Sequence, residues 1–305
     1  FLNTKQLGFT DLHLTRIGLG TWAIGGGGWD YGWGPQDDAR SLEAIDRALE
    51  LGVNWIDTAP AYGLGHSEEI VGQAISGRRD EVILATKCGL VWDEGARSTY
   101  GRLTAASVRE EAEDSLRRLG VDVIDLYQIH WPDPEEQIEE AWAVIAELIA
   151  KGKVRYGGVS NFSVEQLKRI QPIHPVASLQ PPYNMLERDI EDELLPYCAE
   201  HEIGVIAYSP MQSGMLTGKY DRESIAAMPD EDWRKDSTHF TEPELSENLK
   251  LIEGLRQIAR RNDKTLPQLA IAWVLARPEV TAAIVGAREP KQIEETVVAG
   301  GWNLS

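Results

Sequence analysis

Eight short apolar segments alternate with longer segments of helical periodicity, and this alternation restricts the fold more than any other feature of the chain. The short segments are rich in β-branched residues and nearly continuously apolar, as expected for strands buried on both faces. Such alternation is typical of a parallel sheet with helices packed outside it. The predicted strands are Arg16–Gly20, Val53–Asp57, Val82–Lys87, Ile124–His130, Arg155–Ser160, Ala177–Gln180, Val205–Tyr208 and Ala282–Val285.

The segments between the strands carry apolar stripes at helical spacing, such as Leu42, Ile45 and Leu49. Glycines stand where helices should stop, at positions 52, 120 and 152. Residues 4–15 predict a β-hairpin before the first barrel strand, and residues 207–282 leave room for a loop and an extra helix. With no linker in 305 residues, we predict one α/β domain over 1–305, a closed (β/α)8 TIM barrel.

The charge and composition of the chain argue against several classes of protein. Its formal net charge of −19 repels nucleic acid and anionic membrane surfaces. No apolar run reaches the ~18 residues of a membrane helix, and no signal peptide is visible. Cys88 and Cys198 are too few for a disulfide framework or a zinc site. We therefore expect a cytoplasmic protein without a metal, in which any anionic cofactor needs a local cluster of positive charge.

Ionisable side chains follow three neighbouring predicted strands. Asp57 ends the second strand and Tyr62 follows it, Lys87 ends the third, and His130 ends the fourth. The carboxyl ends of barrel strands surround one mouth, so we expect these side chains to lie together. Each also has an ordinary explanation on its own: a structural histidine, a surface tyrosine, or an ion pair at the barrel rim.

Together, the four residue types suit proton donation to a carbonyl group. Tyrosine titrates near ~10, and a nearby ammonium is expected to lower its pKa by stabilising the phenolate. A carboxylate would hold the ammonium, and an imidazole would orient the substrate oxygen. We predict Tyr62 as the general acid toward a carbonyl that receives hydride, supported by Asp57, Lys87 and His130.

Seven motifs, three of which contain the four residues above, make the chain similar to the aldo-keto reductase superfamily over essentially its whole length. They are Gly18-Leu-Gly-Thr-Trp22, Asp57-Thr-Ala-Pro-Ala-Tyr62-Gly63, Ala85-Thr-Lys87, Ile129-His130-Trp131-Pro132, Gly158-Val-Ser-Asn161, Tyr208-Ser-Pro210 and Gly286-Ala-Arg288. The resemblance, strongest to the bacterial branch, implies the same tetrad, NADP(H) as cofactor, and a reductase of the alcohol dehydrogenase or aldehyde reductase type. It also implies a small-molecule carbonyl or alcohol substrate, and we expect a monomer or weak oligomer.

The resemblance further implies where NADP(H) lies. Tyr208 would stack on the nicotinamide, and Ser160, Asn161 and Gln180 would meet its carboxamide. Arg288 would bind the 2′-phosphate bidentately, unless it only caps the rim or pairs with Glu289. A loop of small residues suits the pyrophosphate, with an ordinary connector as the alternative: Ser209, Pro210, Met211, Ser213, Gly214, Leu216 and Gly218. The other expected cofactor contacts are Gly20, Thr21, Trp22, Asp57, Gly286, Gln292 and Glu295.

One motif is a false match. Gly18-x-Gly20-x-x-Ala23 has the form of the dinucleotide fingerprint of doubly wound folds, which needs a helix directly after it. The four glycines at 25–28 will not start a helix.

Ten tryptophans are many for this length. Trp22, Trp92 and Trp131 adjoin the strand ends that carry the tetrad, and with Tyr62 and His130 they predict an aromatic substrate pocket. Core packing is the alternative for each of them.

Two other functions remain open on the sequence. The same family includes redox-sensing accessory subunits of potassium channels, which bind cofactor with little turnover. A barrel lyase could use Lys87 for a Schiff base, but it would leave Tyr208-Ser-Pro and Gly-Ala-Arg unexplained.

Overall fold

A computed structural model describes residues 2–230 and 232–304. Its strands are β1 (Thr4–Gln6), β2 (His13–Thr15), β3 (Ile17–Gly20), β4 (Trp55–Asp57), β5 (Ile83–Cys88), β6 (Leu90–Val91), β7 (Tyr100–Gly101), β8 (Ile124–Ile129), β9 (Val154–Ser160), β10 (Ser178–Gln180), β11 (Gly204–Ala207) and β12 (Val280–Gly286). Its α-helices are α1 (Asp38–Glu50), α2 (His66–Ile75), α3 (Ala105–Leu119), α4 (Ile138–Ala150), α5 (Val164–Ile170), α6 (Leu194–Glu200), α7 (Arg222–Ala226), α8 (Glu244–Arg261), α9 (Leu266–Leu275) and α10 (Pro290–Val297).

Eight parallel strands close into a barrel, which confirms the predicted (β/α)8 fold. The order around it is β3, β4, β5, β8, β9, β10, β11 and β12, and β12 closes the ring on β3. All eight predicted strands are present, but their ends differ by one or two residues. β4 begins at Trp55 instead of Val53, for example, because strand ends depend on hydrogen bonds to neighbours that are distant in sequence.

The helix ends follow local chemistry. The Asp37 carboxylate accepts the Arg40 N–H at the start of α1, and the Thr104 hydroxyl accepts that of Ser107 at the start of α3. Gly120 ends α3 in the left-handed conformation, with φ 65°. Only a short 3-10 turn, Trp22–Gly25, follows the false fingerprint, and α1 does not begin until Asp38.

The predicted N-terminal hairpin is β1–β2, and it closes the end of the barrel where the strands begin. Leu7, Leu12 and Leu14 are buried in one apolar cluster with Trp55 from β4. The Trp55 indole donates to the Thr15 carbonyl at 2.9 Å. It lies so close to Gly18 that a Cβ there would overlap the ring. This end is therefore filled, and a cavity opens at the carboxyl ends of the strands.

The long connection between β11 and β12 contains more structure than predicted. The expected extra helix is α8, but the short helix α7 precedes it, and α9 packs beside β12. A separate apolar cluster supports this region, and it includes Met215, Phe240, Leu245 and Ile252. Within residues 2–230 and 232–304, no helix is both long and apolar enough to cross a membrane.

Candidate active site

Three of the four predicted catalytic side chains meet at the floor of the cavity. The Lys87 ammonium, fully buried, lies 2.6 Å from Asp57 Oδ2 and 3.1 Å from the Tyr62 hydroxyl. A third contact runs to the Thr58 carbonyl at 2.9 Å. β4 supplies Asp57, the turn after it supplies Tyr62, and the neighbouring strand β5 supplies Lys87. Strand adjacency thus builds the cluster that the sequence predicted from strand ends.

Burial and charge oppose each other in this cluster. Burial lowers the pKa of Lys87, but Asp57 and Tyr62 outweigh it, so the pKa rises above its usual range and the ammonium stays charged. Burial raises the pKa of Tyr62; Lys87 opposes this effect and Asp57 adds to it. The net pKa of Tyr62 is raised, against the expectation that Lys87 would lower it, because desolvation of the phenolate is the larger effect.

His130 stands against Tyr62 with the two rings edge to face, their centroids 5.7 Å apart. Burial, aided by the positive charge of Lys87, holds the pKa of His130 well below its usual range. Its Nδ1 is buried without a hydrogen-bond partner among the described residues. At neutral pH this imidazole is therefore neutral and offers one N–H donor and one acceptor.

Two glutamines fix the Asp57 carboxylate from inside the barrel. Gln180 Nε2 donates to Asp57 Oδ1 at 2.8 Å, and Gln128 Nε2 donates to the same oxygen at 3.3 Å. Gln128 was not predicted from the sequence. Strand periodicity could have indicated it, because Gln128 lies two residues before His130 in the same predicted strand and alternate residues of a strand face the same side.

The residues expected around the nicotinamide form hydrogen bonds with one another and with the loop backbone. Asn161 accepts the Tyr208 hydroxyl at 2.8 Å and donates to the His130 carbonyl at 3.0 Å. The Ser160 hydroxyl donates to the Gln180 carbonyl at 2.8 Å. These bonds set the Tyr208 ring at the cavity wall, tied to the strand that carries His130.

A cavity of about 1210 Å³ joins the predicted catalytic residues to most of the predicted cofactor residues. The predicted residues that line it are Gly20, Thr21, Trp22, Asp57, Tyr62, His130, Trp131, Ser160, Asn161, Gln180, Tyr208, Ser209, Pro210, Met211, Ser213, Gly214, Gly286, Arg288, Gln292 and Glu295. Lys87 lies behind this wall, since its side chain is fully buried.

Besides Lys87, three predicted site residues lie away from the cavity lining. Leu216 is buried in the apolar cluster of the long connection, and Gly218 ends a 3-10 turn with φ 70°. Trp92 is partly buried outside the lining. Contact of Leu216 or Gly218 with cofactor, or of Trp92 with substrate, stays a prediction.

A local cluster of positive charge is present, as an anionic cofactor would require in this acidic protein. Six cationic side chains line the cavity: Lys219, Arg234, Arg256, Arg260, Lys264 and Arg288. Of these, only Arg288 was predicted from the sequence. The other five lie in the connection between β11 and β12, whose path the sequence did not reveal. In the same connection, Gln212 and Ser213 have positive φ angles of 46° and 51°.

Arg288 is held by the loop before α1. Its Nε donates to Gln36 Oε1 at 2.6 Å, and its Nη1 donates to the Trp33 carbonyl at 3.2 Å. Its Nη2 contacts the Pro35 carbonyl. Burial, with the nearby charge of Arg234, lowers the pKa of Arg288.

Comparison with known proteins places this geometry in a family context. A model of the Aldo/keto reductase family matches residues 16–305. The chain is 44% identical over 299 residues to the aldo-keto reductase YhdN of Bacillus subtilis (strain 168), covering 97% of this chain and 88% of that protein. It is 38% identical to the NADH-specific methylglyoxal reductase of Escherichia coli (strain K12), covering 98% and 94% respectively. The solved structure of glycerol dehydrogenase AKR11B4 from Gluconobacter oxydans matches with a TM-score of 0.90 at 41% identity, covering 99% of this chain and 91% of the other.

Proposed function

The chain belongs to the aldo/keto reductase family, and from that membership we propose that it reduces an aldehyde or ketone to an alcohol with NADPH, using Tyr62 as general acid. Members of this family use nicotinamide cofactors and act on small-molecule carbonyl compounds. The observation that carries the proposal is the buried contact of Lys87 with both Asp57 and Tyr62 beside a large cavity. Burying charged groups opposes stability, so such a cluster beside a cavity favours a catalytic role.

The chemistry follows from the protonation states. Reduced nicotinamide, when bound, supplies hydride to the carbonyl carbon. Tyr62 keeps its proton at neutral pH because its pKa is raised, so the phenol can donate that proton to the carbonyl oxygen. As the proton leaves, the Lys87 ammonium 3.1 Å away stabilises the phenolate. The neutral His130 imidazole can donate an N–H to the same oxygen.

The residues around the cavity fit a dinucleotide. Tyr208 offers an aromatic face whose hydroxyl is already fixed by Asn161, and this face suits stacking on nicotinamide. The six cationic side chains suit the phosphates, and they oppose the repulsion that the net charge of −19 would otherwise impose.

The choice of NADPH over NADH rests on Arg288. NADP carries an additional phosphate at the adenosine ribose, and the planar guanidinium can bind it through two hydrogen bonds. One relative is named as NADH-specific, so the two cofactors must be compared directly. Both should be tested from the first assay.

The central test is Tyr62→Phe, which keeps the ring and removes the donated proton. We expect kcat for a simple aldehyde to fall by ~10²–10⁴-fold, as for loss of one general acid, with little change in the dissociation constant of NADPH. Steady-state oxidation of NADPH and quenching of tryptophan fluorescence measure the two quantities.

Tyr156→Phe is the matched control, because Tyr156 contacts Asp11 near the closed end of the barrel. Its kcat should equal that of the unaltered protein. Turnover by Tyr62→Phe within a few-fold of the unaltered protein would remove Tyr62 from its role. Tight NADPH binding with no turnover of any aldehyde or ketone would favour a cofactor-binding accessory subunit instead.

A further inference from the structure

The cationic side chains that line the cavity all come from segments on one side of the barrel. Strands β5 and β8 occupy the third and fourth places in the ring, counted from β3, and β11 and β12 occupy the seventh and eighth. The two pairs therefore face each other across the mouth. All six cationic lining residues come from residues 219–288, which follow β11 or β12.

The side formed by β5 and β8 has the opposite character. Among the described residues, the segments that follow these two strands place no lysine or arginine in the cavity lining. Their charged lining residue is Asp133, three residues beyond His130, and it forms no ion pair within the described parts of the chain. The other carboxylate near the catalytic residues, Asp57, is paired with Lys87.

Close packing sets Asp133 at this rim. The hairpin β6–β7 lies against it so tightly that a Cβ at Gly101 would lie 2.6 Å from Asp133 Oδ2. Only glycine permits that approach, which brings the loop after β8 onto the loop after β5. The carboxylate thus stands between two loops that both line the cavity.

Aromatic rings line the cavity on the same side. Tyr100 and Trp131 follow β5 and β8 and remain 44% and 43% exposed. Trp29 and Tyr31 follow β3, and their segment meets the one after β5 where the Asp30 N–H donates to the Arg97 carbonyl at 3.1 Å. The faces of aromatic rings attract cations and oppose anions. A carboxylate set among such rings is a surface that favours a positively charged group.

We infer that this pocket selects its carbonyl substrates by charge: it accepts cationic and neutral aldehydes or ketones, it rejects those that carry a carboxylate, and Asp133 determines the selection. The inference rests on the proposed function, since it names the substrate class of that same site. The cations of the cavity come from the segments that follow β11 and β12. Arg234 comes nearest to Tyr62, because its neighbour Trp233 stacks on Trp22, and its charge is paired with Asp232 at 2.5 Å.

The test compares three aromatic aldehydes that differ in charge: the neutral benzaldehyde, the anionic 4-formylphenylacetate and the cationic 4-(trimethylammoniomethyl)benzaldehyde. The methylene group separates each charge from the carbonyl and so limits its effect on intrinsic reactivity. We expect kcat/KM to fall in the order cation, neutral, anion, with a ratio of cation to anion of roughly ten or more for one carboxylate near the substrate. Added salt should reduce this ratio.

Asp133→Asn keeps the shape and removes the charge, so the ratio should fall by several-fold. The control is Glu136→Gln, which removes an exposed carboxylate three residues away and outside the cavity lining. Its ratio should match that of the unaltered protein. Equal ratios in all three proteins, or equal losses in both variants, would overturn the role of Asp133. Failure to reduce any of the three aldehydes would instead count against the proposed function.

Discussion

Arg288 has two possible partners, the loop that now holds it and the 2′-phosphate that the proposed cofactor would bring. In this structure all three of its side-chain nitrogens donate to residues 33–36. If Arg288 only caps the barrel rim, these three hydrogen bonds are its whole role. A cofactor role requires that a phosphate, with close to two negative charges, competes successfully with neutral oxygen acceptors, and charge-assisted hydrogen bonds are the stronger kind.

We therefore expect Arg288→Ala to weaken NADPH binding by roughly tenfold to a hundredfold, from the loss of ~1.5–3 kcal/mol of charge-assisted bonding. NADH binding should change far less, because NADH lacks the phosphate. Fluorescence quenching gives both dissociation constants. Arg288→Lys is the companion variant: it keeps the charge without the planar fork and should show an intermediate loss. Equal losses for NADPH and NADH would make Arg288 a structural residue.

At the scale of elements, the loop before α1 contacts Arg288 at the cavity through Gln36. Its amide group bonds Arg288 twice, since Oε1 accepts from the guanidinium and Nε2 donates to the Arg288 carbonyl at 3.0 Å. A third bond runs to the Ser41 hydroxyl at 3.0 Å. A phosphate that binds the Arg288 guanidinium would therefore have to replace some of its hydrogen bonds to this loop.

Gln36→Ala should tighten NADPH binding by about threefold to fivefold, since one competing hydrogen bond of ~1 kcal/mol is removed. NADH affinity should stay nearly constant. Ser41→Ala serves as the control, because it removes the Gln36 contact that does not involve Arg288, together with the Ser41 bond to the Asp37 carbonyl. If Gln36→Ala weakens both cofactors alike, the loop supports the site and does not compete for it.

At the scale of the whole molecule, stability should depend on pH through Glu111, a carboxyl buried between α3 and the turn after β5. It accepts the Gly89 N–H at 2.7 Å and the Ser107 hydroxyl at 2.8 Å. Burial nevertheless raises its pKa from 4.5 to about 7. The folded protein therefore binds this proton more tightly than the unfolded chain, and the stabilisation is complete below pH 4.5 and lost as the pH rises through about 7.

Glu111→Gln should remove that dependence, because the amide stays neutral and can keep both contacts. Across this window the lost stability amounts to about 3 kcal/mol at 1.36 kcal/mol for each pH unit. The variant should thus melt at a higher temperature than the unaltered protein at pH 8 and show little difference at pH 5. Glu110→Gln, an exposed neighbour on the same helix, corrects for loss of one negative charge. The same shift at both pH values would contradict the buried-carboxyl account.

The sequence by itself determined the barrel and the grouping of the candidate catalytic residues. Alternating strands and amphipathic helices have few ways to bury their apolar faces, and strand ends in a closed parallel barrel share one mouth. Asp57, Tyr62, Lys87 and His130 could therefore be grouped from the sequence alone. Strand periodicity could also have revealed Gln128, two residues before His130.

Only the tertiary structure decided the features that depend on distant segments meeting. Arg234 and Lys219 reach the cavity through a connection with no repeating pattern, and Gln36 meets Arg288 across 252 residues. The net rise in the pKa of Tyr62 also depends on the tertiary structure, because desolvation depends on everything packed around the phenol and not on Lys87 alone. The same reason applies to Asp133 as a candidate determinant of substrate charge. Its position depends on close packing against a glycine in another loop, and the sequence around Asp133 does not reveal that contact.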